Sequence, residues 1–557
     1  AREAERAGVM TASHTPVSPS PARSPLLLVL CLLFVFVLVC LLFVPFTSDD
    51  AYITMRYARH AAAGQGLCFN PGERVEGYSN PLWLGLLVVA GRAGMDFVVA
   101  AKVLGIGAGL GALLFALAIV VRLTERYDWL AALGPLPLAT CASLAVYAVS
   151  GLETVLYACF LTAIVYCWLV PGGRAWWAVV LCALAAAFTR PEGMLVVAAV
   201  LLWRGLTVVA RFIAPRSLAA EPRRDESRHY WLSMLFALGM MALFLLVRHT
   251  VFGAWLPNTF YAKPPGAFGT MSLLSPAAYL RDYLLDGGTW LWLALTAGAL
   301  RTAGFSARAG VRGPAATAAL LLVAVQAALV IHARGDWMAL HRFLLPLTPL
   351  LVSVGYAGLV RLVPHRPTVV AVLALVTVLN VIQVAQVRGE FIAGRYPYSV
   401  MAGQPQEQAG RWLAQRFPPT TVLACKRIGG VGYFSEMPLV DTLGLVDRRI
   451  ALIRHGSARR GDEENEAIAR EVFSRRPDLI LLAVAARWDD LPLDQPPPDV
   501  AHNLRDVDEA LYRGLAAHGY RFLYRLPQGG DGEFVIYARR GVTLPPALQS
   551  PVSESAP

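Results

Sequence analysis

Charged residues are scarce in this sequence, and several informative patterns are absent. Only 16% of the 557 residues are charged, while 56% are hydrophobic and the mean hydropathy is +0.52. This composition excludes an ordinary soluble protein and indicates a chain that crosses a membrane many times. No Cys-x-x-Cys or cysteine–histidine spacing points to a metal site, and no phosphate-binding loop or soluble nucleotide-binding domain points to ATP or nucleotide sugars.

The net charge of +11 does not indicate nucleic acid binding. The arginines are dispersed among hydrophobic segments, and this distribution agrees with the excess of positive residues in cytoplasmic loops. Six of the eight cysteines fall within hydrophobic segments, where cysteine usually packs as a small apolar residue. Cys68 and Cys425 lie in predicted outer regions, and the sequence agrees with either a disulfide between them or two free thiols.

Hydrophobic runs predict a polytopic α-helical membrane protein with about eleven transmembrane helices and an N-terminus inside the cell. The predicted spans are roughly 25–46, 97–121, 129–149, 152–170, 174–189, 193–212, 230–249, 288–300, 314–332, 343–361 and 367–388. A shorter run, Pro81 to Ala93, is expected to lie along the membrane or to re-enter it. With this topology every arginine-rich loop faces the cytoplasm.

The chain divides into four predicted regions. These are a disordered cytoplasmic segment (1–24), a transmembrane domain (25–389) with its first outer loop at 47–96, an extracytoplasmic α/β domain (390–545) and a disordered tail (546–557). The α/β prediction follows from short apolar runs separated by charged helical stretches. An odd number of crossings from an inside start places this domain outside.

Polar clusters gather on the predicted outer side of the membrane. They are Ser48–Tyr52, Ser150–Thr154, Thr189–Gly193, Leu256–Lys263 and Gly335–Phe343. A transporter is expected to carry ionisable groups near the middle of its spans and to show inverted repeats, neither of which this sequence has. The pattern therefore favours an enzyme at the outer face, although a transporter, a lipid flippase or a non-catalytic scaffold remains as an alternative.

The adjacent pair Asp49-Asp50 directly follows the first hydrophobic run. Neighbouring carboxylates repel each other, and near lipid one of them can keep a raised pKa that suits a general base. Either aspartate is a candidate catalytic base. The alternative is a helix N-terminus or a charge at the membrane interface, with no catalytic role.

Three cations of the outer clusters are candidates for binding a phosphate group: Arg342, Lys263 and Arg190. A preorganised cation stabilises a leaving phosphate as its charge develops. Each cation also has an ordinary explanation. Arg342 could pair with Asp336, Arg190 could pair with Glu192, and Lys263 could meet lipid headgroups.

Other polar and aromatic residues of the same loops are candidate substrate-binding groups. They are Glu76, Tyr78, Asn80, Glu153, Asn258, Tyr261, Asp336 and Trp337. Tryptophan could instead belong to the interfacial aromatic belt, and Glu153 could cap a helix. Asp441 and Asp447 of the outer domain either contact an acceptor or shape loops.

Several motifs together resemble the GT-C membrane glycosyltransferases, and most closely the mycobacterial-type terminal arabinofuranosyltransferases. They are Ser48–Ile53, Arg56–Ala58, Gly72–Trp83, Ser150–Thr154, Arg190–Gly193, Pro257–Lys263, Gly335–Arg342, Gly429–Phe434 and Asp441–Asp447. The resemblance implies a polyprenyl-phosphate sugar donor, an inverting transfer and an aspartate of the first outer loop as base.

The expected partners are therefore a polyprenyl-phosphate sugar, a glycan or glycoconjugate acceptor and membrane lipids, with no nucleic acid. The expected location is the bacterial cytoplasmic membrane, with the active site outside the cytoplasm. The outer domain is assigned to acceptor binding, with a stabilising cap as the alternative. The sequence names no cofactor, and it leaves open whether a divalent cation takes part and which sugar is transferred.

Overall fold

The structure is a computed structural model that describes residues 23–170, 172–213, 224–263, 276–285, 289–302, 312–333, 336, 338–395, 403–457, 461–529 and 532–548. Most of the two segments predicted to be disordered, 1–24 and 546–557, lies outside these residues. Trp337 also lies outside them. The description therefore begins with the first hydrophobic helix, at Arg23.

Helices are the main secondary structure of the described part of the chain up to residue 395. Their bounds are Arg23–Leu41, Asp49–Ala62, Pro81–Arg92, Phe97–Thr124, Trp129–Ala132, Leu136–Ala139, Ala142–Val149, Thr154–Leu169, Gly173–Thr189, Gly193–Ile213, Arg224–Phe252, Asn258–Ala262, Pro276–Leu285, Thr289–Thr302, Arg312–Ala333, Thr348–Leu362 and Arg366–Ile392, with a 3₁₀ turn at Leu345–Leu347. Each predicted span contains helix, so the helical membrane architecture is confirmed.

The predicted number of membrane crossings is not settled by these helices. Among the described residues, four helical stretches are long and apolar enough to cross a membrane: Phe97–Thr124, Arg228–Phe252, Leu345–Leu362 and Arg366–Ile392. Several other apolar helices are shorter, Pro81–Arg92 among them. The count of eleven and the outward placement of the loops stay predictions.

The predicted span 129–149 is broken instead of continuous. Its two halves, Trp129–Ala139 and Ala142–Val149, meet at an angle of 63°. Pro135 and Pro137 lie in the first half, and proline lacks the N–H that a helix interior needs. The second half ends at Val149, directly before the Ser150–Thr154 cluster. The angle at the break therefore determines where this cluster lies.

The predicted α/β domain is confirmed after residue 403. It contains the helices Gln404–Arg416, Gly429–Ser435, Arg448–Gly456, Asp462–Ser474 and Val507–Gly514, the 3₁₀ turns Val500–Asn503 and Pro546–Leu548, and five strands, β1 (Leu423–Cys425), β2 (Leu439–Asp441), β3 (Leu479–Val484), β4 (Tyr520–Gly529) and β5 (Gly532–Arg539). The strand order is β2-β1-β3-β5-β4. Strands β1, β2 and β3 are parallel, while β5 is antiparallel to both β3 and β4.

The sheet has one face in each of two hydrophobic cores. Along β3, Leu479 and Leu481 pack in a core that continues through the membrane helices, whereas Ile480 and Leu482 pack in a second core against the helices of the outer domain. This alternation is the ordinary two-residue period of a strand. The outer domain therefore shares a continuous apolar core with the helical bundle.

Candidate active site

The two adjacent aspartates occupy the first turn of the helix Asp49–Ala62. Ser48 precedes them in extended conformation, and its N–H donates to the carbonyl of Ser150 at 2.8 Å. Gly151 has φ +84°, and a Cβ there would lie 2.8 Å from the Cβ of Ala51, so that the Ser150–Thr154 turn needs a glycine to approach this helix. Two of the predicted clusters are thus joined by backbone contacts.

Asp49 is enclosed by the backbone of the outer domain. Its Oδ1 accepts the N–H of Gly430 at 2.7 Å, and a Cβ on Gly429 would lie 2.0 Å from the carbonyl oxygen of Asp49. A glycine-rich turn between a strand and a helix is a typical anion-binding arrangement. Here the anion is the carboxylate of Asp49. Burial raises the pKa of this carboxyl to about 6, although the Gly430 hydrogen bond lowers it.

Asp50 lies on a different side of the helix and is half-buried. Its negative charge raises the pKa of both Lys263 and Arg342, so that the three groups are close enough to interact. Burial lowers the pKa of Lys263 overall. This arrangement joins three of the predicted polar clusters in one space.

Arg342 is oriented by a buried carboxylate. Its Nε donates to Asp336 Oδ2 at 2.9 Å and its Nη2 donates to Asp336 Oδ1 at 3.0 Å. Desolvation lowers the pKa of Arg342, but the charge of Asp336 leaves it raised overall. The alternative predicted for Arg342, pairing with Asp336, is therefore realised. The guanidinium group of Arg342 is also preorganised, because Asp336 binds two of its five N–H groups and the side chain cannot rotate freely.

The turn that carries Arg342 has an unusual backbone. Leu340 and His341 have φ values of +62° and +53°, in the left-handed region that non-glycine residues seldom adopt. Two such residues in succession persist only where the surrounding structure imposes them, and such strain is concentrated at functional sites. The geometry thus supports a functional role for the turn from Asp336 to Arg342.

Arg190 lies near the ring of Phe343, as Arg342 does, with the two guanidinium groups 5.6 Å and 5.0 Å from the ring centre. It pairs with Glu192 at 2.5 Å and with Glu153 at 3.5 Å. The alternative predicted for Arg190 is therefore realised as well. Two carboxylates already surround this guanidinium, which makes Arg190 a weaker candidate for phosphate than Arg342.

Glu153 also connects Arg190 to the first outer loop. Its Oε2 accepts from the amide of Asn80 at 2.8 Å, and the Asn80 Oδ1 accepts from the hydroxyl of Thr54 at 3.3 Å. Thr54 lies one helical turn after Asp50, so that the two side chains share a helix face. A polar network therefore runs from Arg190 along the helix that carries Asp50.

Other predicted sugar-binding residues make internal contacts. Glu76 forms a bidentate pair with Arg248, at 2.7 Å and 3.2 Å, and both side chains are buried. The ring of Tyr78 packs against that of Tyr57 with centres 5.0 Å apart. The amide of Asn258 donates to the carbonyls of Gly444 and Leu445, at 2.7 Å and 3.1 Å. These contacts position the loops and do not point to a sugar.

Three further candidate residues make contacts with or within the outer domain. The ring of Tyr261 lies 5.2 Å from that of His455. Asp441 is fully buried and accepts the N–H groups of Leu443 and Val446, at 2.8 Å and 2.9 Å, and burial raises its pKa to about 6. Asp447 caps the helix Arg448–Gly456 by accepting from Ile450 at 3.1 Å. Both aspartates therefore shape loops.

Two cations that hold the neighbouring segments together, Arg56 and Lys102, were not among the predicted site residues. Arg56 is fully buried and donates to the carbonyls of Phe69, Gly432 and Met437, so that it joins the first outer loop to the outer domain. Lys102 donates to the carbonyls of Phe46 and Val149, at 2.6 Å and 2.9 Å. Lys102 had a sequence signal, because a lysine within an apolar span needs a polar partner.

A small cavity of about 30 Å³ lies beside the turn that carries Arg342. Leu340 and His341 line it together with Asn380 from the middle of the helix Arg366–Ile392. Among the described residues, no group of three or more His, Cys, Asp or Glu side chains has the arrangement of a metal site. The thiols of Cys68 and Cys425 are free.

Comparison with solved structures gives similarities that cover most of this chain. The oligosaccharyltransferase of Archaeoglobus fulgidus, tethered to an acceptor peptide with the NVT sequon, is 10% identical with a TM-score of 0.51, over 89% of this chain and 79% of that chain. ArnT from Cupriavidus metallidurans is 16% identical with a TM-score of 0.49, over 92% and 97%, and it has also been solved with undecaprenyl phosphate. Arabinofuranosyltransferase AftD from Mycobacteria is 13% identical with a TM-score of 0.48, over 94% of this chain and 40% of that chain.

Comparison of the sequence itself finds less. A family described as a domain of unknown function (DUF8728) matches residues 395–537, which is the outer domain. No curated protein matches the sequence. The likeness to the oligosaccharyltransferase shows the fold, and the fold is the part of the predicted resemblance that it confirms.

Proposed function

We propose that this protein is an inverting glycosyltransferase that moves a sugar from a polyprenyl-phosphate donor to a glycan acceptor. The observation that carries the proposal is the convergence of Asp50, Lys263 and Arg342 at one end of the helical bundle. Asp50 accepts a proton, and Lys263 and Arg342 attract a phosphate. A transfer of this kind requires both functions.

The reaction needs one bond to form as another breaks. The acceptor hydroxyl oxygen attacks the anomeric carbon while the bond from that carbon to the phosphate oxygen breaks, and the configuration inverts. The hydroxyl proton passes to the carboxylate of Asp50, and the polyprenyl phosphate leaves with the bonding electrons. Asp50 is favoured over Asp49 because it is less buried and because its charge acts on Lys263 and Arg342.

Arg342 and Lys263 stabilise the charge that develops on the leaving phosphate. Arg342 is held by Asp336 before any substrate arrives, so that little reorganisation is needed during the reaction. Lys263 has a lowered pKa because it is buried, yet the nearby carboxylate of Asp50 favours its charged form.

Arabinofuranose is the proposed sugar, on the strength of the loop motifs alone, and the outer face of the bacterial cytoplasmic membrane is the proposed location. Arg190 and Asn80 are proposed to support the site through Glu153. A transporter or lipid flippase is disfavoured, because the charged groups of the site gather at helix ends and in connecting segments instead of mid-span.

The test uses the purified protein in nanodiscs with radiolabelled decaprenyl-phosphate arabinofuranose and a synthetic arabinan pentasaccharide. We expect a labelled hexasaccharide whose new linkage has the anomeric configuration opposite to that of the donor, as read by NMR. A nucleotide-linked arabinose should give no product. Retained configuration, or transfer from the nucleotide sugar, would overturn the proposal.

A second measurement separates transfer from transport. In proteoliposomes with labelled donor lipid, a flippase would move the lipid across the bilayer without acceptor. Lipid movement without any transfer to the pentasaccharide or to other glycan acceptors would favour the alternative. The variant Asp96→Asn is the matched control for expression and reconstitution. Asp96 is exposed, and asparagine also caps the helix Phe97–Thr124.

A further inference from the structure

Three large apolar side chains are exposed just beyond the end of a membrane helix. The stretch Arg228–Phe252 is long and apolar enough to cross a membrane. Trp255, Leu256 and Phe260 closely follow it, and they are 55%, 39% and 45% exposed. Aromatic side chains next to the end of a membrane-spanning helix lie at the level of the lipid headgroups. The segment from Trp255 to Phe260 therefore belongs at the membrane surface.

The outer domain packs against this segment through one of its helices. That helix, Arg448–Gly456, contacts the short helix Asn258–Ala262. The ring of His455 lies 6.0 Å from that of Phe260 and 5.2 Å from that of Tyr261. Since the short helix lies next to the end of a membrane-spanning helix, the contact holds Arg448–Gly456 close to the membrane surface.

The two faces of the helix Arg448–Gly456 differ. Ile450 and Ala451 are buried in the hydrophobic cores of the protein. Arg449 and Leu452 are three residues apart and thus share a face, and both are exposed. An exposed leucine next to cations is typical of a helix that lies in the membrane interface, where the apolar group enters the lipid and the cations meet the headgroups.

The helix supplies cations and no acidic residue. Its sequence contains three arginines and one histidine. Arg454 pairs with Glu464 at 3.0 Å, so its charge is offset. Arg449 lies 3.5 Å from Glu471, but its side chain is 78% exposed, and an exposed pair at this distance is weak. Arg449 and the half-buried Arg448 next to it can therefore bind a phosphate group.

We propose that the outer domain rests on the lipid bilayer through this face and binds the phosphate groups of phospholipid headgroups. The lipid-contact surface consists of Trp255, Leu256, Phe260, Arg448, Arg449 and Leu452. Because Glu464 and Glu471 offset part of the positive charge, the surface fits the phosphate of a zwitterionic headgroup and does not need a bilayer with net negative charge. The contact fixes the outer domain relative to the membrane, whichever reaction the protein catalyses.

The experiment places the photoreactive residue p-benzoylphenylalanine at position 452 of the full-length protein, in phosphatidylcholine nanodiscs. On irradiation this residue forms a covalent bond with groups in contact with it, and mass spectrometry of the intact protein detects lipid adducts. We expect lipid adducts at position 452. The helix Arg448–Gly456 follows β2, whereas Ala517 is exposed and precedes β4, at the opposite edge of the sheet. The same photoreactive residue at position 517 should give few adducts or none.

The double variant Arg448→Gln/Arg449→Gln tests the contact with the phosphate groups. It should lower the yield of lipid adducts at position 452 about threefold or more, because charge-assisted contacts to phosphate are lost at a site exposed to water. Arg449→Gln alone is the milder variant, should the double variant fail to fold. The matched control is Arg521→Gln/Arg540→Gln, which removes the same charge at exposed positions in β4 and directly after β5. It should leave the yield unchanged.

Several outcomes would overturn the lipid-contact surface. They are the absence of lipid adducts at position 452, equal yields at positions 452 and 517, and an unchanged yield in the folded arginine variants. The same loss in the control variant would show a general effect of charge and would overturn the contact with phosphate. Adducts that form only after an anionic lipid is added would overturn the stated ligand class. The measurement needs neither a sugar donor nor an acceptor, so its result does not depend on the proposed function.

Discussion

Asp49 and Asp50 are neighbours in the chain, but their surroundings differ. The side of the helix that carries Asp49 is covered by the backbone of the outer domain at Gly429 and Gly430. The side that carries Asp50 opens towards Lys263 and Arg342. The difference teaches that a raised pKa does not by itself identify a base, because the carboxylate with the raised pKa is the one already bound by the protein.

The side of the helix that carries Asp49 also connects the helical bundle to the outer domain. Arg56 makes three hydrogen bonds to carbonyls, two of which belong to the outer domain, and a continuous apolar core extends from the bundle into the sheet. A buried arginine with all its bonds made to carbonyls is difficult to replace. The outer domain is therefore a wall of the candidate active site, and acceptor binding is the role proposed for it.

The largest expected effect distinguishes the two aspartates. Asp50→Asn should lower kcat by about 10²–10⁴-fold, because a positioned general base typically contributes that much. Asp49→Asn should lower kcat roughly tenfold, which corresponds to about 1.4 kcal/mol, since the amide oxygen can still accept from Gly430. The measurement is kcat from the nanodisc transfer assay at saturating donor.

Asp96→Asn again serves as the control for expression and reconstitution. The reverse ranking, with Asp49→Asn inactive and Asp50→Asn nearly normal, would make Asp49 the base. It would also mean that the Gly430 contact opens when substrate binds. Equal and small effects in both variants would remove the aspartate pair from the chemistry.

The next largest expected effect tests Arg342, on the side of the helix that carries Asp50. Arg342→Lys keeps a positive charge beside Asp336 but loses the fork that fixes the orientation, so that kcat should fall roughly 10- to 100-fold. The lysine variant is preferred to alanine, which would leave a buried carboxylate without a partner. Transfer rate and donor KM are both measured.

A matched control exists on the surface of the same domain. Arg281 pairs with Asp282 at 2.7 Å and is exposed, so Arg281→Lys makes the same chemical change away from the site and should leave the rate unchanged. If Arg342→Lys transfers sugar as fast as the control, the leaving phosphate does not lie at Arg342. Arg190, which also lies near the ring of Phe343, would then become the stronger candidate.

The helical architecture and the α/β domain were predictable because both depend on local patterns. Hydrophobic runs located helices, and apolar runs such as Leu479–Val484 located a central strand. The convergence of Asp50, Lys263 and Arg342 was partly predictable, since polar clusters at one face of a bundle are close in space. Their grouping followed from topology alone.

The partners of each side chain were not predictable. Nothing in the sequence distinguishes Glu76, which pairs with Arg248, from an acid that is open to substrate, because the two are far apart in the chain. Likewise, the contact between Asp49 and Gly430 joins residues separated by 381 positions. Local patterns carry no information on such pairs. The break at Ala139–Ala142 was missed although Pro135 and Pro137, shortly before it, argue against one continuous helix over this hydrophobic run.

The smallest effect is a stability difference that depends on pH. Burial raises the pKa of Asp49 to about 6, above the ordinary value of about 3.9. A folded-state pKa above the unfolded value gives stability that is present at low pH and is lost as pH rises through about 6. At pH 7.5 the wild type therefore carries the cost of a buried charge, on the order of 2 kcal/mol, while Asp49→Asn does not.

We expect the apparent unfolding midpoint of Asp49→Asn to exceed that of wild type at pH 7.5. The difference should shrink towards pH 4, when both proteins are measured in detergent at one scan rate. Asp441, whose pKa is also raised to about 6, gives both proteins the same background dependence and does not affect the difference. A pH-independent difference would mean that Asp49 is ionised without cost, and the covered side would then be as accessible to solvent as the side that carries Asp50.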